Sequence, residues 1–110
     1  MARTLLVSAW QAGAYPTIGA ALQAVQAGET ISLAPGEYTE AVVVHGMTVS
    51  LVAAEQAGSV TIDATSEGRP AVTSRDGEVL LRGLVLRSGD APAVSASGGV
   101  LRLEECGQRQ

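Results

Sequence analysis

The residues of this chain that could do acid–base chemistry are scattered carboxylates. A pair of carboxylic acids flanking a sugar linkage supports glycoside or lyase chemistry. The candidates for such a pair across neighbouring elements are Glu37, Glu40, Asp63 and Asp90. Acidic residues at turns are usually solvated surface groups, so we predict no catalytic pair among them.

The one histidine and the one cysteine offer little to a nucleophilic or metal site. His45 lies beside Gly46 between two apolar runs. In a catalytic site it could act as a general base. Because no motif places a serine or cysteine nucleophile for it, we predict a solvated turn residue. A single cysteine excludes an intrachain disulfide, and no metal-ligand spacing is present. The sequence therefore predicts no catalytic residue, no metal and no cofactor.

Aromatic residues are few, being Trp10, Tyr15 and Tyr38, without any phenylalanine. Trp10 and Tyr38 are candidates for a sugar-stacking platform, but they lie far apart in sequence. Packing is the commoner role of such rings. The remaining apolar residues are mostly Ala, Val, Leu and Ile, a set that fits thin, regular layers.

The charge of the chain argues against a nucleic-acid partner. Its formal net charge is −4 and its seven basic residues, all arginine, are scattered, whereas binding to phosphates needs a basic patch. The apolar run Leu5–Ala9 is too short for a signal-peptide core or a membrane span. We therefore expect a cytoplasmic protein with no membrane partner.

The elements that must position these residues are mainly short strands. Ile31 and Leu33, and likewise Val49 and Leu51, alternate with polar residues, which is typical of strands with one buried face. The predicted strands are Thr4–Ala9, Thr30–Leu33, Ala41–Val44, Thr48–Val52, Val60–Asp63, Ala71–Thr73, Glu78–Leu81, Leu84–Leu86, Ala93–Ala96 and Val100–Leu103.

One helix is predicted near the N-terminus. Thr17 is a natural N-cap, and apolar residues from Ile18 to Val25 recur at helical spacing. Gly28 is predicted to end the helix with a positive φ. The single apolar stripe must lie against another element, for which we predict the end of a stack of strands.

An internal repeat decides the architecture. Pro70-Ala71-Val72-Thr73 matches Pro92-Ala93-Val94-Ser95, and the same offset of 22 residues continues without insertion to Cys106. A fixed period is the signature of a solenoid, whereas a β-sandwich, the alternative, has no reason to repeat side-chain roles. The predicted stacks are Val72 on Val94, Val79 on Leu101, Leu81 on Leu103 and Leu84 on Cys106. Cys106 is therefore predicted to be a small core residue.

Two motifs carry a resemblance to a known family. Gly13-x-Tyr15-x-Thr17-Ile18 before the helix, followed by Pro35-Gly36-Glu37-Tyr38-Thr39-Glu40 and Val42-x-Val44, resembles the N-terminal part of pectin methylesterases. More broadly, roughly residues 10–63 are similar to the pectin-lyase-like right-handed β-helix superfamily. The resemblance implies a scaffold role for the Gly-x-Tyr-x-Glu segment and a helix that caps the N-terminal end.

Together these observations predict an all-β, right-handed, single-stranded parallel β-helix of three to four coils with an N-terminal capping helix. Residues 1–29 would form the first strand and the cap, and residues 30–110 the coils of one structural domain.

The family's catalytic residues have no counterpart in the sequence. Pectin methylesterases carry a glutamine that helps to form the oxyanion site, and Pro92 stands at the nearest matching position. Proline has neither a side-chain donor nor a backbone N–H, so it cannot stabilise an oxyanion. The family's later catalytic segments would fall beyond Cys106. The resemblance thus implies a fold without the esterase activity.

The last copy of the repeat is predicted to leave an uncapped end. No helix follows Leu103, and Gly107-Gln108 replace the apolar pair Val85-Leu86. Either the chain is part of a longer solenoid, or this end stacks on another molecule in a dimer or a fibre.

We therefore predict a non-enzymatic module that self-associates, or scaffolds a partner or the rest of a longer parent protein, through its coil ends and flat parallel faces. The alternative is a fragment that binds or acts on carbohydrate. The predicted association residues are Ala93, Val94, Val100, Leu101, Leu103 and Cys106.

Overall fold

A computed structural model describes residues 4–8, 13–89 and 92–109 of the chain. Within them the backbone forms a parallel β-solenoid of about four turns with one short helix, which confirms the predicted fold class. In chain order the elements are β1 (Thr4–Val7), α1 (Ile18–Ala24), β2 (Glu29–Leu33), β3 (Gly36–Tyr38), β4 (Val42–His45), β5 (Thr48–Ala53), β6 (Val60–Asp63), a 3₁₀ turn (Thr65–Glu67), β7 (Val72–Arg75), β8 (Glu78–Arg82), β9 (Leu84–Arg87), β10 (Val94–Ser97), β11 (Val100–Glu104) and β12 (Gly107–Arg109).

The strands form three parallel sheets around one core. Sheet A has the order β1-β2-β5-β8-β11, sheet B the order β3-β6-β9-β12, and sheet C the order β4-β7-β10. Successive coils therefore visit sheets C, A and B in turn, as β4–β6, β7–β9 and β10–β12. Before them, α1 is followed by β2 and β3, so that the helix takes the place of a sheet C strand in chain order.

The 22-residue repeat sets the pairing of the last two coils, as the sequence predicts. The pairs are Val72 with Val94, Val79 with Leu101 and Leu81 with Leu103. Gly107 pairs with Val85 at the same offset, which places Cys106 in register with Leu84. The preceding coil is longer, because residues 54–59 and 64–71 form extra loops between its strands.

The core consists of columns of aliphatic side chains. Ile31, Leu51 and Leu81 lie in register on neighbouring strands of sheet A, and all three are fully buried. Successive coils lie about 4.8 Å apart, so like side chains pack on like. Apart from Tyr38, the buried core residues of the described chain are aliphatic.

The corner between sheets C and A brings backbones into close contact. A Cβ atom at Gly77 would collide with the carbonyl oxygen of Met47, and one at Gly99 would collide with that of Gly77. The same two carbonyls accept hydrogen bonds from the N–H groups of Glu78 and Val100, at 3.1 and 2.9 Å. Glycine is required at both corners because the preceding coil occupies the space of a side chain.

Helix α1 closes the N-terminal end of the stack. It lies against β1 and β4, the first strands of sheets A and C, and it buries Ile18 and Ala21. The Thr17 hydroxyl accepts a hydrogen bond from the Ala20 N–H at 3.0 Å, which confirms the predicted N-cap.

A carboxylate of the following coil also holds the helix. The two oxygens of Glu40 accept hydrogen bonds from the N–H groups of Ile18 and Gly19, each at 3.0 Å. Negative charge is favourable beside helical N–H groups that have no partner within the helix. The contact ties α1 to the chain between β3 and β4.

The helix is shorter than the sequence predicts. It ends at Ala24, because Val25 already has an extended backbone with a ψ of 146°. Glu29 accepts a hydrogen bond from the Gln26 N–H at 2.7 Å and so stabilises the turn. Gly28 does have a positive φ of 86°, but it lies in the turn before β2.

Two strands are absent from the sequence prediction. Pro35-Gly36 is expected to be a turn, yet Gly36–Tyr38 forms β3 and pairs with β6. Gly107–Arg109 is expected to end the repeat, yet it forms β12 and pairs with β9. In both cases backbone pairing with the neighbouring coil outweighs the low strand propensity of the residues.

Candidate functional site

The C-terminal edge, which we define as strands β10, β11 and β12, is the most distinctive surface of the described chain. Each of these strands is the last of its sheet within residues 4–8, 13–89 and 92–109. The backbone groups on their outer side therefore have no strand to pair with there. An unpaired strand edge is a ready template for pairing with another chain.

The inward side chains of this edge are only half-buried. Their equivalents one coil earlier, Val72, Val79, Leu81 and Leu84, are at most 2% exposed. Val94, Leu101, Leu103 and Cys106 are partly exposed, although they pack against the same core. Because the register is the same and all of these side chains are apolar, the difference arises because no further coil of the described residues covers the edge.

The other two predicted association residues are placed differently. Ala93 is 6% exposed and is therefore part of the core. Val100 is 50% exposed, but it lies in register with Glu78 on the outward face of sheet A. Only four of the predicted residues thus form the inward apolar surface, while Val100 borders it.

Charged side chains lie on the outward face of the same edge. Glu104 accepts two hydrogen bonds from Arg82 on the preceding coil, at 2.7 and 3.1 Å. This hydrogen bond is the main reason that the pKa of Arg82 is raised. Arg102 lies 3.9 Å from the other Glu104 oxygen and its side chain is 70% exposed. The Arg102 guanidinium is therefore largely accessible to solvent beside Glu104.

Cys106 is held in place by backbone carbonyls. Its Sγ lies 3.3 Å from the carbonyl oxygens of both Leu81 and Glu104. The side chain packs partly against the core, in register with Leu84. This placement agrees with the predicted role of a small core residue.

The candidate carboxylates have structural partners or remain apart. Glu40 binds the N-terminus of α1, and Glu37 is exposed on β3. Asp63 accepts hydrogen bonds from the Thr65 hydroxyl and N–H at 2.6 and 2.9 Å. These bonds, together with Arg87 at 3.6 Å, lower the pKa of Asp63. Asp90 lies outside the described residues.

The remaining candidates do not form a site. His45 is exposed on β4, at the opposite end of sheet C from β10, whereas Cys106 lies at the C-terminal edge. Tyr38 is buried, with its hydroxyl 2.7 Å from the Ala34 carbonyl oxygen and 3.2 Å from that of Val7. Burial, and secondly Glu40, raise the pKa of Tyr38. Trp10 lies outside the described residues, and Tyr38 offers no accessible ring face.

A shallow groove of about 220 Å³ runs across the outward face of sheet A. Its side chains include Ser50, Glu78, Leu80 and Arg102, and no aromatic ring lines it. Among the described residues there is no group of three metal-ligating side chains. No helix in that part of the chain is long and apolar enough to cross a membrane.

No family model, curated protein or solved structure matches this chain. The resemblance to the pectin-lyase-like superfamily therefore stays a prediction.

The charges at the C-terminal edge are the feature that the sequence prediction missed. Arg82 and Glu104 are 22 residues apart, which is the repeat length, so their contact could be found from the sequence. The predicted association residues were chosen from the aliphatic matches, which lie mainly on the inward face. The same register also aligns the outward charged residues.

Proposed function

We propose that the 110-residue chain is a non-catalytic solenoid module that associates with a second copy of itself through the C-terminal edge. The observation that carries this proposal is the half-buried state of Leu101 and Leu103, whose equivalents Val79 and Leu81 are buried one coil earlier. A second edge laid against them would remove apolar surface from water and pair the open backbone groups.

The test is the molecular mass in solution as a function of concentration, from about 1 μM to about 1 mM, a range that spans tight and weak complexes. We expect dimers or larger assemblies at the upper end, with electron microscopy distinguishing fibres. A monomer throughout the range would overturn the proposal.

Two matched variants locate the surface. Leu101→Arg places a charge at the C-terminal edge and should weaken association, with circular dichroism used to check that the fold is kept. Val43→Arg changes another exposed apolar residue, 39% accessible, on the first strand of sheet C. Equal loss of association in both variants would point away from the C-terminal edge.

The groove on sheet A supports a second candidate, carbohydrate binding. It combines a hydroxyl, a carboxylate and a guanidinium, which can form hydrogen bonds with sugar hydroxyls, and an apolar side chain. It ranks lower because it has no aromatic face for a sugar to stack on. Binding in a glycan screen that is lost in Glu78→Gln would favour this candidate.

A further inference from the structure

The two ends of the solenoid differ in whether a strand of another molecule can pair with them. At the N-terminal end α1 lies against β4, so the free side of sheet C is covered there. A head-to-tail contact would have to place β10 of one copy where the helix of the next copy lies. The C-terminal edge, in contrast, is open in all three sheets. A contact between two C-terminal edges avoids this conflict.

Resting on the proposed self-association, we propose that two copies join through a two-fold axis, with β11 antiparallel to β11 of the second copy and Leu103 on the axis. Such a contact is isologous, so it closes at a dimer and does not grow into a fibre.

The two-fold symmetry is compatible with the helical rise of the last coil, in which β10, β11 and β12 lie at successive heights along the solenoid axis. Strands β10 and β12 are each joined to β11 by two residues. In the proposed arrangement the two-fold axis is perpendicular to the solenoid axis and passes through β11, so that sheets B and C exchange positions. It thereby places β12 of each copy beside β10 of the other. Because β10, β11 and β12 rise in chain order, all three junctions then have the same spacing. One contact would cover the whole edge.

The open backbone groups of β11 suit this pairing. The Val100 N–H donates to the Gly77 carbonyl, and the Glu104 carbonyl accepts from the Gly83 N–H, both at 2.9 Å. Residues of a strand alternate in the side toward which their backbone groups point. The groups of Leu101 and Leu103 therefore point to the open edge, and two Leu103 residues can exchange hydrogen bonds across the axis.

The outward charges select the register. With Leu103 on the axis, Arg102 of each copy lies opposite Glu104 of the other, which gives two ion pairs between directly opposite residues. With Arg102 on the axis, two arginines would face each other. With Leu101 on the axis, Arg102 would face Val100. Only the Leu103 register makes the edge self-complementary in charge.

A charge-reversal experiment tests the register. Arg102→Glu makes the edge all acidic at these two positions, and Glu104→Arg makes it all basic. Each variant alone should associate at least about tenfold more weakly than the natural chain, because both cross-strand pairs become repulsive. An equimolar mixture should recover association, since acidic and basic edges then pair. No recovery in folded variants would overturn the register.

Cysteine cross-linking provides an independent measurement. In a Cys106→Ser background, Leu103→Cys should form a disulfide dimer on mild oxidation, because residues on the axis lie within disulfide reach. Leu101→Cys is the matched control, since its two copies would be about 14 Å apart along the antiparallel strands. Cross-linking of Leu101→Cys in place of Leu103→Cys would contradict the axis at Leu103.

The outcomes separate the two proposals. A natural chain that is monomeric at every concentration contradicts self-association itself. A natural chain that associates, but shows neither cross-linking at position 103 nor recovery on mixing, contradicts only the two-fold arrangement. Fibres in the micrographs would also contradict the closed pair.

Discussion

The N-terminal and C-terminal ends of the solenoid begin from similar aliphatic columns but are finished differently. At the N-terminal end Ile18 and Ala21 of α1 are fully buried, and Glu40 holds the helix in place through two hydrogen bonds. At the C-terminal edge Leu101 and Leu103 remain half-buried, and no further strand of the described residues pairs with β11 on its outer side. Aliphatic content alone therefore does not distinguish a closed end from an open one.

What distinguishes the ends is the use of polar groups. At the closed end a carboxylate is directed at helical N–H groups, where it satisfies donors of the same chain. At the C-terminal edge Arg102 and Glu104 point outward beside unpaired backbone. The first arrangement satisfies helical donors, whereas at the C-terminal edge Glu104 binds Arg82 of the preceding coil and Arg102 remains 70% exposed.

The largest contrast should appear when equivalent leucines of the inner and last coils are truncated. Leu81→Ala should lower the free energy of unfolding by about 2–5 kcal/mol, because it leaves a cavity in a covered column. Leu103→Ala should lower it by only about 1 kcal/mol in dilute solution, since the residue is half-buried. Urea denaturation measures both. Equal losses would mean that the last coil is as well covered as the inner one.

The corner glycines provide a second contrast. Gly77→Ala should destabilise the fold by about 1–3 kcal/mol, because the new methyl group meets the Met47 backbone within the stack. Gly99→Ala meets the Gly77 backbone in the same way, but the last coil has room to move outward. We therefore expect a smaller loss for Gly99→Ala in urea denaturation. The reverse order would show that the last coil is rigidly held.

The closed end can be weakened through its carboxylate. Glu40→Ala removes both acceptors from α1 and should lower the free energy of unfolding by about 0.5–2 kcal/mol, the usual range for the loss of a helix cap. Glu40→Gln should cost less, because its amide oxygen still accepts a hydrogen bond. Glu37→Gln, at an exposed neighbour, is the control and should leave the unfolding transition unchanged. Hydrogen exchange at the Ile18 and Gly19 amides reports whether the helix itself has loosened.

The smallest effect concerns an ion pair between two inner coils. Asp63 and Arg87 pair across β6 and β9, whereas β12 places Arg109 next in register with Arg87. Because the pKa of Asp63 is lowered in the folded state, its contribution to stability is present above its unfolded pKa of about 3.9 and is lost as the pH falls through the folded value.

Asp63→Asn should therefore be less stable than the natural chain at neutral pH, and the difference should shrink in acid below about pH 4. Urea denaturation at several pH values measures it. A difference that does not depend on pH would mean that the ionised carboxylate is not what stabilises this turn.

The sequence predicts the register of the last two coils well, because Val72 and Val94 occupy equivalent positions of a repeat without insertions. It predicts β3 and β12 poorly, since Gly36 and Gly107 have low strand propensity and pair only because a neighbouring coil presents its edge. Such pairing depends on residues more than 20 positions away, which a local pattern does not contain.

The candidate surface was predictable in part. The aligned aliphatic residues predict an apolar end. The same offset aligns Val100 with Glu78 and Ala93 with Ala71, so the outward position of Val100 and the burial of Ala93 could also be found from the repeat. The contact of Glu40 with α1 could not be predicted from a local pattern. The N–H groups that it binds lie about 20 residues earlier in the chain, and two strands separate them from it.

The constant offset of 22 residues between the last two coils means that further coils could be inserted without changing the strand register. A duplicate of residues 78–99, inserted after Gly99, would add one complete turn and leave both ends chemically unchanged. The molecule should lengthen by about 4.8 Å for each copy, which small-angle scattering can follow over several insertions. The repeat would then serve as a molecular ruler that sets the distance between the helix and the open edge.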